Sequence, residues 1–397
     1  MKIKENIYSV GVLNPTVRVA DIIVAIEFGT TYNSYLIKGS EKTALIDTVH
    51  PDFFEDHIKN IEAITDIKNI DYIVINHTEP DHSGSLAKLL EINPDITVIA
   101  STAGQKYVSQ IVNRKFNSII AKDGDTVSLG DKTLKFINAP FLHWPDSMFT
   151  YIEEDSALFT CDFLGAHFCG SSNIDTKLLD TKIYFQEFKN YYDVIMSPFK
   201  EHVLNGLNKI ANLKFDMICP SHGPLLTVSI NAAISSYRQW SEALLQKNEI
   251  KKVFILYASA YGCTAALAAA IRDGIAGSGK FDIEVNNVLD LDLDEIREKV
   301  NVADAIVLGS PTLNRDAVKP VWDALNVVDA INSRGKVAGA FGSYGWSGEA
   351  VKMLIDRMNS LRLKTVGEGV RAKFVPSADE IKAAFEYGEE IAKNLLL

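Results

Sequence analysis

The run His77-Thr78-Glu79-Pro80-Asp81-His82 packs four residues of metal-ligand type into six positions. His143, Asp162 and His222 follow further along the chain. Together these residues offer four imidazoles and three carboxylates, enough donors to hold two metal ions and leave positions open for chemistry. Imidazole and carboxylate without thiolate suit zinc, iron or manganese. A lone histidine is by default solvated or hydrogen-bonded. His50, His57 and His202 take that reading, because nothing comparable to the 77–82 cluster surrounds them.

A second chemistry sits nearer the C-terminus. Ser259-Ala260-Tyr261-Gly262-Cys263-Thr264 lies between a strand-like run and a helix-like run. Hydroxyls, a glycine and a helix N-terminus in that order suit a bound phosphate. Two later loops, Ser310-Pro311-Thr312-Leu313-Asn314 and Gly342-Ser343-Tyr344-Gly345-Trp346-Ser347-Gly348, also follow apolar runs. Small, hydroxyl and aromatic residues at successive strand ends suit a ring system clasped between loops.

The elements that must position these residues alternate in the manner of a layered α/β fold. Strands are expected at 22–28, 34–38 and 43–47, with a turn at Lys38-Gly-Ser-Glu-Lys42, and a helix at 53–64. Asp71-Tyr-Ile-Val-Ile-Asn76 reads as a buried strand, and the ligand cluster begins at the next residue. A helix at 85–92, a strand at 96–100 and a helix at 104–112 repeat the alternation. The runs 134–138, 157–161 and 217–220 lead towards His143, Asp162 and His222 in turn. Each donor therefore lies beyond a strand end, where loops of such folds converge. An amphipathic helix over 227–246 precedes the strand Lys252–Tyr257. Further strands are expected at 305–309 and 336–341, a helix at 265–276, and a last helix opened by the capping box Ser377-x-x-Glu380.

The strand-end ligand run, the lone His143, Asp162 in Leu-Phe-Thr-Cys-Asp and His222 in Cys-Pro-Ser-His-Gly-Pro resemble the metallo-β-lactamase superfamily. Hydrolases of that superfamily carry histidine where this chain has Glu79. A hard anionic oxygen there favours ions that reach a higher oxidation state, which zinc cannot do. The His-x-Glu-x-Asp-His form, the eighteen residues between His143 and Asp162, and His143-Trp-Pro-Asp-Ser-Met148 resemble the flavodiiron proteins. That resemblance implies one iron held by His77, Glu79 and His143, another held by Asp81, His82 and His222, and Asp162 bridging the two. His167, five residues beyond Asp162, is either a proton donor beside the site or a core histidine. Tyr191 and Tyr192 either line the pocket or simply pack, and Trp144 walls the site from water.

The C-terminal segment resembles flavodoxin, which binds FMN. By that likeness Ser259, Tyr261, Gly262, Cys263 and Thr264 wrap the phosphate. Pro311, Thr312, Leu313 and Asn314, with Ser343, Tyr344, Gly345, Trp346 and Gly348, flank the isoalloxazine. Cys263 stands where that family more often has Asn, which keeps a backbone contact and changes the side-chain one. The implied fold is α/β. Residues 1–249 would form a metallo-β-lactamase-like αββα sandwich, and residues 250–397 a flavodoxin-like, doubly wound, parallel five-stranded sheet.

The two resemblances together imply a flavodiiron oxidoreductase that reduces O2 to water, NO to N2O, or both. Electrons would be relayed through FMN from rubredoxin, a deazaflavin or another reductase. The family's head-to-tail homodimer, or a dimer of dimers, would set one chain's FMN beside another chain's irons. The alternative is a zinc-dependent hydrolase of the metallo-β-lactamase superfamily carrying a flavodoxin-like electron-transfer module.

The totals agree with two soluble domains. A chain of 397 residues exceeds one ordinary core, and 47% apolar with 23% charged residues is a globular composition. The net charge of −11 disfavours nucleic acid or an anionic membrane as partner. Cys161, Cys169, Cys219 and Cys263 form no CxxC pair, so no zinc knuckle, iron–sulfur cluster or fused rubredoxin-like module is expected. They read as free thiols of a reducing compartment. No apolar signal region follows Met1, and no apolar run reaches the ~20 residues of a membrane span. The expected location is the cytoplasm.

Overall fold

The apolar run at 71–76 forms the strand Tyr72–Ile75, whose last three residues are buried. The computed structural model, which describes residues 1–20, 22 and 24–397, places this strand well inside a seven-stranded sheet. In spatial order the sheet runs Lys2–Lys4, Ile7–Ser9, Tyr35–Lys38, Thr43–Ile46, Tyr72–Ile75, Thr97–Ser101 and Asn117–Ala121. Its first strands pair antiparallel, and from Thr43–Ile46 onward it is parallel. A five-stranded sheet, Thr126–Ser128, Thr133–Asn138, Met148–Ile152, Ala157–Cys161 and Met217–Pro220, is antiparallel except for its last pair.

Strand side chains alternate between faces, so each sheet has two apolar faces to bury. Ile37, Ile46, Val74 and Ile99 of the larger sheet meet Phe136, Met148, Ile152 and Phe159 of the smaller one in a shared core. The opposite face of the larger sheet, including Ile73, Ile75 and Val98, is covered by helices Phe54–Glu62, Leu86–Ile92 and Thr102–Val112. Phe149, Tyr151, Leu158 and Ile218 on the far face of the smaller sheet pack under Thr181–Tyr191, Lys200–Ile210 and Ile230–Leu245. The layers are therefore helix, sheet, sheet, helix, all within the unit Met1–Leu245. The strand expected over 22–28 includes Ile23, which lies outside the described residues. Of the remainder only Val24–Ala25 is strand, because Ile22, at φ 57, is in a turn that folds Val19–Ala20 back onto it.

The second unit, Gln246–Leu397, is built on a parallel sheet. Its order is Asp282–Asn287, Lys252–Tyr257, Ala305–Gly309, Val337–Tyr344 and then a fifth position shared by two short segments, Lys364–Thr365 and Val370–Lys373. Helices Cys263–Gly277 and Ala378–Leu396 cover one face, and Leu293–Val302, Lys319–Asn326 and Glu349–Ser360 cover the other. The first two helices touch through glycines: a Cβ on Gly274 would lie 2.0 Å from the Phe385 carbonyl oxygen, and one on Gly388 2.2 Å from that of Ile271. The strand expected at 336–341 extends to Tyr344, because Phe341–Tyr344 gain partners in Val370–Lys373. Among the described residues no helix is long and apolar enough to cross a membrane.

Phe159 lies in the core between the two sheets, with no exposed surface and its ring 5.2 Å from that of Tyr35. Phe159→Ala should lower unfolding stability by about 3–5 kcal/mol through lost burial and an unfilled cavity. Denaturant unfolding followed by far-ultraviolet circular dichroism measures it.

Candidate metal centre and flavin loops

Four chain segments deliver the donors to one place. His77 comes two residues after Tyr72–Ile75, and Glu79, Asp81 and His82 belong to the short helix Pro80–Ser83 and its N-cap. His143 follows Thr133–Asn138, and His222 follows Met217–Pro220. Asp162 directly follows the fully buried strand Ala157–Cys161, where Cys161 takes a left-handed φ of 50° that turns the chain out of the sheet. All seven sequence-predicted metal residues are brought together.

They fall into two trios around Asp162. In the first, the Glu79 Oε2 lies 3.2 Å from His77 Nε2 and 3.0 Å from His143 Nε2. In the second, Asp81 lies 3.3 Å from His82 Nε2 through Oδ1 and 3.0 Å from His222 Nε2 through Oδ2. Asp162 turns Oδ2 to the first trio, 3.5 Å from His77 and 3.6 Å from His143. Its Oδ1 faces the second, 3.0 Å from His82 and 3.5 Å from His222. Four of these donor atoms, both Asp162 oxygens, Asp81 Oδ1 and His82 Nε2, are buried without a hydrogen-bond partner. Orphaned donors and acceptors converging at such distances fit cations placed between them. Each trio is two imidazoles and one carboxylate, a set suited to non-haem iron. The chemistry of the residues thus fits a pair of iron ions.

The electrostatics follow from the same packing. Burial opposes a charge on His77, but the Asp146 and Glu79 carboxylates outweigh it and hold the imidazole near 10. Burial likewise opposes charge on His82 and His143, and carboxylates, Asp162 above all, raise both to about 10. Glu79, despite burial, is drawn down to about 2 by His143 and His77, and Asp162 lies well below the usual carboxylate range because of His82 and its neighbours. Without cations the site compensates its own charges.

Residues outside the predicted set aim the ligands. Asp146 accepts hydrogen bonds from the Thr78 backbone N–H and hydroxyl, both at 2.7 Å, and lies 3.3 Å from His77 Nδ1. His222 Nδ1 lies 2.6 Å from the Thr31 carbonyl oxygen, which makes Nδ1 the protonated nitrogen and leaves Nε2 to face Asp81. The Asn33 amide donates to the carbonyls of Pro220 and Gly223 on either side of His222. Asp146 has a trace in sequence, an acidic residue three positions past His143. A backbone carbonyl has none.

His167 is buried beside the site, its ring 4.6 Å from that of His222 and its Nδ1 2.9 Å from the Thr30 hydroxyl. Burial pushes its imidazole down to about 3, so it is neutral at ordinary pH. Tyr191 sets its ring 5.0 Å from His167 and 6.2 Å from His222. Tyr192 turns elsewhere: its hydroxyl meets Ser241 at 2.9 Å and its ring packs on Tyr237 and Trp240. Neighbours on a helix point about 100° apart, so the two tyrosines cannot both face the ligands. The Trp144 ring stands edge-on to His77 at 5.0 Å. His57 is a core histidine bonded to Ser34, while His50 packs on Tyr32 and Phe53 and His202 on Phe141.

In the second unit Gly262 caps helix Cys263–Gly277 at φ 81°, with no side-chain cap and no atom within 4 Å of where a Cβ would stand. Ser259 Oγ accepts the Ala265 N–H at 3.3 Å, and Thr264 and Ser343 join hydroxyls at 2.8 Å, linking two of the loops. Thr312 Oγ1 accepts the Ala350 N–H at 3.3 Å, tying the Pro311–Asn314 loop to the one ending at Gly348. Open helix N–H groups behind a left-handed glycine suit a phosphate. Tyr261 and Trp346, on separate loops, are 93% and 80% exposed, and Leu313 is 53% exposed, an apolar surface that suits a flat ring. Ser343, Tyr344, Gly345 and Gly348 lie at the end of the central strand and the turn after it, and Cys263 opens the helix.

The model of the ODP family beta lactamases matches residues 30–223, and that of flavodoxin matches 255–388. The chain is 48% identical to a flavo-diiron protein of Clostridium acetobutylicum, over 100% of this chain and 99% of that one. It is 34% identical to a protein named nitric oxide reductase of Moorella thermoacetica, over 92% and 91% of the two. Among solved structures, a rubredoxin oxygen:oxidoreductase of Desulfovibrio gigas superposes with a TM-score of 0.73 at 28% identity, covering 100% of this chain and 98% of that one.

Asp146→Ala should free His77 Nδ1 and strand the Thr78 N–H. Losses of this kind weaken metal binding by about 10–100-fold. Chelator competition, with metal counted by mass spectrometry, measures it; affinity equal to that of the native protein would show that Asp146 does not orient His77.

Proposed function

The chain belongs to the flavodiiron proteins, oxidoreductases that combine a di-iron centre with FMN, and we propose that it reduces O2, NO or both. The observation that carries this reading is Asp162, whose two oxygens face two different trios of donors. We assign one iron to His77, Glu79 and His143, the other to Asp81, His82 and His222, and the bridge to Asp162. When bound, the irons supply electrons and open coordination positions for the gas, and FMN replenishes the electrons. The zinc-hydrolase alternative gives way to the redox reading.

The chain's own residues bind, aim and exclude. Asp146 and the Thr31 carbonyl hold the rings of His77 and His222 so that both Nε2 atoms point inward. Trp144 and Tyr191 cover the two ends of the histidine cluster and limit water entry. His167, kept neutral and anchored through Thr30, holds one ring proton next to His222 and can pass it inward as another arrives. In the second unit the open N-terminus of helix Cys263–Gly277 takes the FMN phosphate, and Tyr261 and Trp346 cover the ring.

Relatives named for NO and for O2 support both gases as substrates, and the electron donor is rubredoxin, a deazaflavin or another reductase. The head-to-tail homodimer is part of the reading, because it would let one chain's FMN serve another chain's irons. The four free thiols agree with a cytoplasmic setting.

Asp162→Ala should abolish consumption of both gases in anaerobic stopped-flow, while FMN stays bound and reducible. Retained gas reduction at the native rate in that variant would sink the assignment of the bridge.

A further inference from the structure

The strand Asn117–Ala121 ends the seven-stranded sheet. It pairs in continuous parallel register with Thr97–Ser101 on one side, and among the described residues no strand pairs with its other side. Asn117, Ser118, Ile119 and Ile120 are all exposed, the two isoleucines at 37% and 46%. A bare edge of this kind is a template for another strand, and proteins usually blunt it with lysine, proline, a bulge or shortness. The opposite edge of the same sheet does so. Lys2-Ile3-Lys4 carries two lysines and an irregular register, and its Lys4 is tied to Asp216. The outer strand of the smaller sheet, Thr126–Ser128, is only three residues long, and the edge strand of the second unit carries Asp282 and Glu284. Asn-Ser-Ile-Ile-Ala has none of these devices.

We propose that this edge is a self-pairing surface whose partner is a second copy of the same chain. The copies would run antiparallel about a twofold axis through Ile119, fusing two seven-stranded sheets into one. The flanking charges choose that register. Centred on Ile119, Lys115 of each copy lies opposite Asp123 of the other, Ser118 opposite Ile120, and the two Ile119 residues face each other. Centred on Ser118, Arg114 would face Lys122; a half-step between the two would set Lys115 against Lys122. A slip the other way, centred on Ile120, sets Ile119 against Ala121 and separates the Ile119 pair. Lys115 and Asp123 are both exposed, so each can reach across. This contact is independent of the head-to-tail arrangement and would join such dimers in pairs.

Five residues a side bury less than the about 1,200 Å² of a standard interface, so the pairing is tested on concentrated protein. Ile119→Cys should give a disulfide-linked dimer under mild oxidation, beyond the background of the native protein and of Lys115→Cys, whose thiols would lie far apart. Ile119→Lys with Ile120→Lys should halve the native mass by sedimentation, whatever the other contact contributes, with circular dichroism and FMN content unchanged. Cross-linking of Ile119→Cys no greater than background, or an unchanged mass in the folded double variant, would overturn the proposal.

Discussion

A carboxylate with almost no access to water, Asp162, stands between two opposed sets of donors, and much of the first unit serves to keep it there. A buried carboxylate is costly unless charges of opposite sign surround it. His77, His82, His143 and His222 supply that compensation, and cations would supply more. None of the four histidines is adjacent to Asp162 in sequence, so the sandwich must bring separate strand ends to one edge. The parallel strands Thr43–Ile46, Tyr72–Ile75 and Thr97–Ser101 set the height at which His77 and the helix Pro80–Ser83 leave the sheet. The parallel pair Ala157–Cys161 and Met217–Pro220 does the same for Asp162 and His222. The left-handed turn at Cys161 delivers the carboxylate itself.

Much of this is legible in the amino-acid sequence, because ligand types are rare enough to mark their own positions when they recur behind apolar runs. What stays hidden is of two kinds. The Thr31 carbonyl, which orients His222, has no side-chain identity to read. The choice between Tyr191 and Tyr192 depends on helix phase at the point where the α-helix Thr181–Tyr191 gives way to a π-turn at Tyr192–Met196, and a shift of one residue there exchanges site for core. Asp146 is visible within the run 143–148, but its role depends on where Thr78 lies.

In the second unit the readable signal is loop chemistry. Small, hydroxyl and aromatic residues after buried strands locate the three loops. The fifth strand position is split into Lys364–Thr365 and Val370–Lys373, segments of two and four residues, too short for any periodicity to register. The extra length of Val337–Tyr344 depends on the second of these, since Phe341–Tyr344 pair only with it at that edge. A strand boundary set by a non-local partner is invisible in the strand's own residues.

Glu79 gives the metal centre its symmetry. Each half of the site has two imidazoles, one carboxylate and one oxygen of Asp162: His77, His143 and Glu79 on one side, His82, His222 and Asp81 on the other. The matched distances, 3.2 and 3.0 Å around Glu79 and 3.3 and 3.0 Å around Asp81, show the two halves built to the same size. An imidazole at position 79 would leave one half with three neutral donors and the other with an anionic one, and two cations there would feel different fields. A hydrolytic pair can use that difference, since one ion can activate water while the other polarises a substrate. A pair that must give up electrons together gains from having none, because ions in matched fields lose them at similar cost. One glutamate two residues after His77 therefore equalises two sites built from four separate parts of the chain.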